Sequence, residues 1–313
     1  GVLKTKVSGG LSSVRDGVST MIKGFVGAQA VISGFQKMVD AIKSGVHSIV
    51  DFEAANSKLA AILGETKTNI NELVYDAKRL GATTRYTASE ATALQIELAK
   101  LGFSKKEILD STEYVLKFAQ ATGAELPEAA ALAGASIRMF GATTQETEKY
   151  VASMAVATTK SALSFSYLQT AMPIVGPVAK AFNFTIEDTL ALLGKLADAG
   201  FDASMSATAT RNIILNLADA NGKLAKELGG NVKTLPEMVE GLVKLRDKGI
   251  DLASTLELTD KRSVAAFNAF LSGAEKINTL RDAVTNVEGD LTTMANTMTD
   301  NVQGAVLGLK SEA

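Results

Sequence analysis

The stretch Leu98-Ala-Lys-Leu-Gly-Phe-Ser-Lys-Lys-Glu107 holds a helix end, a corner and a helix start within ten residues. Gly102 suits the left-handed position just past a helix C-terminus, because it has no Cβ to clash there. Phe103 can turn back into a core. Ser104 is an N-cap residue whose hydroxyl accepts from the next helix's free amides. Glu107, three positions on, completes a capping box. The same grammar returns in Gly81-Ala82-Thr83, Gly141-Ala142-Thr143, Asn183-Phe184-Thr185 and Gly200-Phe201-Asp202, with Gly123-Ala124-Glu125 as a weaker member. Thr87/Glu90 and Thr143/Glu146 also fit the capping box. Gly81, Gly102 and Gly123 lie 21 residues apart and Gly141 follows after 18. That spacing leaves room for helices of about four turns.

Between the corners the apolar period is helical from about 69 to 250. Ile70, Leu73, Val74, Ala77 and Leu80 form one stripe; Ala91, Leu94, Leu98 and Leu101 form another; Ile108, Val115, Leu116 and Ala119 continue it. No run alternates as a strand bounded by hairpin turns would. Hydrophobic residues make up 46% of the 313 positions and charged residues 21%, a globular balance, and four prolines leave helices room to run. The expected fold is all-α: a compact array of short helices joined at tight glycine-type corners. Side-chain matches between units are too loose to define a solenoid repeat.

Both flanks read differently from the middle. Residues 1–50 carry Lys4, Lys6, Arg15, Lys23, Lys37 and Lys43 against Asp16 and Asp40, a net +4, whereas the remainder carries −6. Gly10, Gly17, Gly24, Val31, Met38 and Gly45 recur every seven residues there, as do Gly27 and Gly34. This basic, glycine-striped arm is either an ordinary solvated helix or an arm for anionic lipid or an acidic partner. At the other end Ile277, Leu280, Val284, Val287, Leu291, Met294 and Met298 follow a 3-4-3-4-3-4 spacing, a heptad seam. Val302, Val306 and Leu309 then drift toward an eleven-residue period. A helix of nearly forty residues is expected over 275–313, its seam packing on a copy of itself or on the N-terminal arm. The expected organisation is therefore 1–50 arm, 51–274 helical core and 275–313 long helix. Gly1 in place of methionine and a helical pattern running to Ala313 suggest a piece of a longer protein.

Little in the sequence offers chemistry. Cysteine is absent and His47 is the one histidine, so no disulfide, thiolate nucleophile or two-imidazole metal site can be built. No P-loop, dinucleotide fingerprint, HExxH or GxSxG motif occurs. The closest carboxylate pairs, Glu187/Asp188 and Glu146/Glu148, follow Thr185 and Thr143, where acids favour a helix N-terminus. A net charge of −2 argues against a nucleic-acid binder. The longest uncharged window, 161–179, holds Pro173, Pro177, Gln169 and three serines, and reads as buried helix plus turn rather than a membrane span. No catalytic residue, cofactor or metal is expected.

One longer run stands out: Leu190-Ala-Leu-Leu-Gly-Lys-Leu-Ala-Asp-Ala-Gly-Phe-Asp-Ala-Ser-Met-Ser-Ala-Thr-Ala-Thr-Arg-Asn-Ile-Ile-Leu215. It resembles the core region of phage tail tape measure proteins, in which a Leu-Leu-x-x-Leu helix leads to Ala-Gly and then a small-residue run ending Gly-Thr-x-Leu-Arg. Leu192-Leu193, Leu196, Ala199-Gly200 and Ala207-Thr208-Ala209-Thr210-Arg211 match in order, with Ala207 in place of the glycine and Thr210 in place of leucine. Ala179 to Leu190 is similar to the family's lead-in, Asp51-Phe-Glu-Ala-Ala-Asn-Ser-Lys-Leu59 to its opening, and Leu80–Ala91 and Leu98–Phe103 to its next helices. Met298 to Glu312 is similar to its closing helix, so the resemblance covers roughly 45–313.

The resemblance implies a structural, non-enzymatic protein that sets tail-tube length, helps assemble the tail and assists DNA delivery. It implies a place in the lumen of the virion tail after assembly in the bacterial cytoplasm, and contact with the host envelope on ejection. The implied partners are tail-tube and tail-tip or initiator proteins, tail assembly chaperones and further copies of the chain, with the host membrane as an alternative target and no sequence-specific nucleic acid. Gly200, Thr208 and Arg211 are the candidate structural or partner contacts. Arg211 is expected either to cap or pair within the fold or to meet a partner.

Overall fold

The structure is a computed structural model that describes residues 49–230 and 232–300. The arm over 1–48, including His47 and the glycine stripes, and the 302–309 part of the terminal helix lie outside the described residues. Cα packing divides the chain into two units at Ala54/Ala55, and the helical array lies in the second.

The fold is all-α, with no strand among the described residues. Residues 49–63 are helical and form α1. A 3-10 turn, Thr68–Ile70, leads into α2 (Asn71–Thr83), α3 (Ala88–Lys100), α4 (Lys105–Thr122), α5 (Leu126–Phe140) and, after a second 3-10 turn, α6 (Thr147–Lys160). Then come α7 (Phe165–Ala181), α8 (Ile186–Asp198), α9 (Ala203–Ala218), α10 (Lys223–Glu227), α11 (Leu235–Asp247), α12 (Leu252–Leu258), α13 (Val264–Ser272), α14 (Ala274–Ala283) and α15 (Glu288–Thr299).

Helices two apart in sequence lie side by side. α2, α4, α6 and α8 form one layer; α3, α5, α7 and α9 form the other; consecutive helices pack across the two. The middle is thus a stack of helical hairpins. Its register is visible in hydrogen bonds that join residues 34–36 apart: Thr92 to Asn56, Lys105 to the Asn69 carbonyl, Arg79 to Glu113, Arg138 to the Gly102 carbonyl, Ser111 to Thr147 and Ala162 N–H to Asp198. Successive hairpins dock through a recurring set of contacts even though their side chains do not repeat visibly. α14 and α15 make a third layer over α4, α6 and α8. With neighbours on both sides, α8 is buried at eleven of its thirteen positions, Ile186 to Ala197 with Lys195 excepted, as a helix covered on all faces must be.

The corners have a common geometry. Gly102, Gly123, Gly141 and Gly200 take φ of 80°, 70°, 65° and 84°, and Asn183 takes 64°. After each comes the long-reach bond of a Schellman turn: Phe103 N–H to Leu98, Ala124 to Ala119, Ala142 to Ile137, Phe184 to Ala179 and Phe201 to Leu196. Phe103 and Phe184 are buried, tucked beneath the corners they follow. Gly81 differs from expectation. It lies inside α2, which runs on to Thr83, and a Cβ there would sit 2.6 Å from the Ala88 nitrogen. Its role is to let the start of α3 pass close by rather than to end a helix.

The terminal helix needs correction too. Over the described residues it is two helices, broken at Val284–Val287 where Asn286 takes a φ of 57°. Five of the seven seam residues, Ile277, Leu280, Val284, Val287 and Leu291, are buried within the chain's own fold. The heptad spacing is real, but here it is spent on α4, α6 and α8.

Candidate functional site

The corners carry a ladder of charge along one edge of the stack. Capping boxes stand at the starts that lead into α4, α6 and α8, at Ser104/Glu107, Thr143/Glu146 and Thr185/Asp188. The caps are 39 and 42 residues apart, the hairpin repeat read at its corners. Each box carboxylate accepts from its own cap's backbone N–H, 2.8 Å for Glu107, 2.9 Å for Glu146 and 2.9 Å for Asp188. At Glu107 and Asp188 a cation from a later helix then sits against it. Arg138 of α5 reaches Glu107 at 3.2 Å while donating to the Gly102 carbonyl at 3.0 Å, and its guanidinium stacks 4.3 Å over the Phe103 ring. Arg281 of α14 donates to Asp188 at 2.7 Å. The Lys180 stem lies close to Gly141, and its charge adds to the field at Glu146.

The electrostatics follow from this geometry. The Thr143 amide holds Glu146 below the usual glutamate range, and the Ser104 amide does the same for Glu107. Glu187 is buried and paired with Lys149 of α6 at 3.2 Å. Glu146, Glu187 and Asp188, three of the four acids in the candidate pairs, are therefore seated in helix starts and inter-hairpin pairs, with their carboxylates turned to neighbours in the fold. Among the described residues no three His, Asp or Glu side chains gather as a metal would need, and no helix is long and apolar enough to cross a membrane.

The three singled-out residues sit apart from the ladder. Gly200 turns the α8–α9 corner, and the Tyr167 hydroxyl of α7 sits 3.2 Å from the Phe201 carbonyl and 2.5 Å from Ser206 Oγ. An open groove beside this corner is lined by Ser164, Tyr167, Thr170, Gly200 and Asp202. Thr208 and Arg211 stand on the outer face of α9, in line with Ser204 and Leu215. Thr208 is half-buried. Arg211 is exposed and has neither a hydrogen bond nor an ion pair among the described residues. Met205 and Leu215 are exposed on the same helix, at 54% and 48%. Gly200 is thus a structural corner, while Arg211 faces solvent. The seam residues lie elsewhere, on the α14–α15 layer, where Met294 is half-buried and Met298 exposed.

The ladder is not legible in the sequence alone. A base does follow each capping acid at a distance, but a pairing across 31 or 93 residues has no local mark. The break at Asn286 is marked only by a residue type that tolerates the left-handed region.

Comparison with known proteins gives this architecture a family. The family described as phage-related minor tail protein matches residues 75–310. The chain is similar to the tape measure protein of Pneumococcus phage Dp-1, 29% identical over 271 residues, covering 82% of this chain and 24% of that protein. It is also similar to the probable tape measure protein of Escherichia phage P2, 28% identical over 273 residues, covering 81% of this chain and 34% of that one. The chain therefore spans about a quarter to a third of the length of these relatives. No solved structure matches. The match runs from α2 through the hairpin stack and the α14–α15 layer, and the chain belongs to the phage-related minor tail protein family.

Proposed function

We propose that this chain is the folded helical core of a tape measure protein, a structural tail component around which tail-tube subunits assemble and whose length sets the length of the tail. The observation that carries the reading is the alignment with two tape measure proteins over about four fifths of the chain. The geometry supports it, because Glu187 and Asp188, one of the two closest carboxylate pairs, are used to lock α8 to its neighbours. On this reading the partners are tail-tube and tail-tip proteins, tail assembly chaperones and further copies of the chain. The place of action is the tail of the virion, and the role is non-enzymatic.

The hairpin repeat gives the test. A duplication of Ser104–Ala142 adds one 39-residue hairpin whose caps remain in phase. In a phage carrying it, electron microscopy of the tails reads the outcome. Unwound into one helix inside the tail, the insert adds ~58 Å. Stacked as a compact hairpin, it adds ~10 Å, one interaxial step. Tails of unaltered length would remove the length-setting role from this segment.

A further inference from the structure

α9 packs against both α7 and α13, and these three helices carry no acidic residue. Their basic residues are Arg211, midway along α9, and Lys180, at the end of α7. The α12–α13 loop brings two more cations to α9. Asn212 holds that loop, donating to Asp260 Oδ2 and to Ser263 Oγ, both at 3.4 Å. Arg211 adjoins Asn212, and Lys261 and Arg262 lie between Asp260 and Ser263, so three cations surround one contact. All three are exposed, and their side chains have neither a hydrogen bond nor an ion pair among the described residues.

The acids that border this surface are turned into their own loops. Asp260 accepts from the Arg262 and Ser263 amides at 2.8 and 3.1 Å and from the Ser263 hydroxyl at 2.7 Å. Asp202 accepts from the Met205 amide at 2.9 Å and Asp219 from the Asn221 amide at 3.1 Å. Elsewhere in the stack an exposed guanidinium such as Arg79 or Arg138 meets a carboxylate from another helix. Outside the N-terminal arm the chain carries a net −6, so acids are not scarce. Cations gathered without a counter-charge repel one another and give the fold nothing. A partner of opposite charge would relieve them. Apolar surface adjoins them too, since Leu215, one turn on from Arg211, and Met205 are exposed.

We propose that α9 and the α12–α13 loop form a docking site for an acidic polypeptide segment with apolar side chains. Its carboxylates pair with Arg211, Lys261 and Arg262, and an apolar residue covers Leu215. A nucleic acid fits less well. A long polyanion would run on over an otherwise acidic chain, and none of the exposed side chains on this surface is aromatic, as base stacking would need. The proposal rests on the tail-component reading for one point, that the segment belongs to another tail protein.

The test uses the full chain and a short lysine-free peptide of glutamate and leucine with a blocked amino terminus. A carbodiimide joins a carboxylate to an amine held against it, and mass spectrometry reads which lysine has captured the peptide. Lys160 at the end of α6 is the internal standard, being exposed and likewise without an ion pair among the described residues. At low salt Lys261 is expected to capture the peptide roughly tenfold over Lys160, and high salt should abolish the preference. Arg211→Ala and Arg262→Ala leave the amine in place. Each should lower capture at Lys261 by roughly two- to fivefold, the worth of one exposed ion pair, with the melt unchanged. If one of them disturbs the melt, the other decides. Equal capture at Lys160 and Lys261, or capture that neither variant lowers, overturns the proposal. So does displacement of the peptide by oligothymidylate at a lower concentration of charge, which would make this a phosphate site. Failed capture leaves the length-setting role standing, and tails that ignore the duplicated hairpin leave the docking site standing.

Discussion

The hairpin stack α2–α9 and the closing segment α10–α15 are built on different terms. In the stack, local signals and tertiary contacts agree. Thr87, Ser104, Ser164, Thr185 and Asp202 cap the helices they precede, and left-handed Gly102, Gly123, Gly141, Asn183 and Gly200 end those before them. In the closing segment α10, α13, α14 and α15 start without any side-chain cap, and α10 and α12 are five and seven residues long. Such helices are too short to hold by propensity and exist because they are packed. The contrast is one of degree, since α2 and α5 of the stack also lack a side-chain cap and Thr234 and Asp251 cap α11 and α12, but the stack is specified more from within and the closing segment more by the surface it covers.

The sharpest way to break that contrast is to damage one corner. Phe184 is buried beneath the Asn183 turn and meets Phe182 edge to face at 5.0 Å. Phe184→Ala should cost about 3–5 kcal/mol and lower the whole melt, because the corner joins two members of the stack. A loss below ~1 kcal/mol in a denaturant titration would mean that the corners are not what hold the stack together.

A smaller effect should separate the two regions. Gly194 of α8 lies against Leu280 of α14, and a side chain there would also press on Ser161. Gly194→Val should cost about 1–3 kcal/mol by overpacking. Amide exchange should then rise in α14 and α15 first, with α3 and α5 protected as before. Equal loss of protection throughout would show that the closing segment and the stack fold as one unit.

That asymmetry also explains what can be read from sequence. The corners are legible because each is written in three or four nearby residues, such as Gly102-Phe103-Ser104 with Glu107. Gly81 misleads because a close approach to Ala88 and a helix end ask for the same residue. The pairing of helices two apart is not legible, since Arg138 and Glu107 meet only after α4 and α5 have folded. The seam is legible as a pattern and misleading as a shape, since spacing fixes which side chains share a face and not whether the backbone stays straight. Of the candidate contacts, Gly200 is marked by its corner, whereas the outward aim of Arg211 depends on how α9 lies on α7.

Two carboxylates within the stack should respond to pH in opposite directions. Burial raises Asp76 of α2 above the usual aspartate range, although Arg79 donates to it at 2.7 Å. Its second oxygen and the Gln95 carbonyl oxygen are both buried without a donor. The folded chain thus holds that proton more tightly than the unfolded one, and stability from this site falls as pH climbs from 3.8 through the raised value. Glu146 is lowered by the Thr143 amide, so its contribution is present above 4.5 and is lost as pH falls through the lowered value. Asp76→Asn should accordingly gain in melting temperature on the parent as pH climbs from about 4 to about 7, whereas Glu146→Gln should lag the parent at pH above 4.5 and close on it as pH falls below that value. Parallel shifts of both variants would put the cause elsewhere than in these two sites.

The smallest expected effect concerns the face on which a partner would dock. Arg211 has no bond to lose, so Arg211→Ala should change stability by no more than about 0.5 kcal/mol, as should Thr208→Ala. Gly200→Ala, three turns earlier, should cost about 1 kcal/mol because its φ of 84° resists a side chain. The informative comparison is between melt and assembly. A phage carrying Arg211→Ala that yields fewer complete tails while the isolated chain melts normally would place a partner on the outer face of α9. A melt lowered as far as in Gly200→Ala would instead show that Arg211 serves the fold. The α9 surface would then be as self-contained as the corners, and the contacts with other tail proteins would have to be sought outside the hairpin stack.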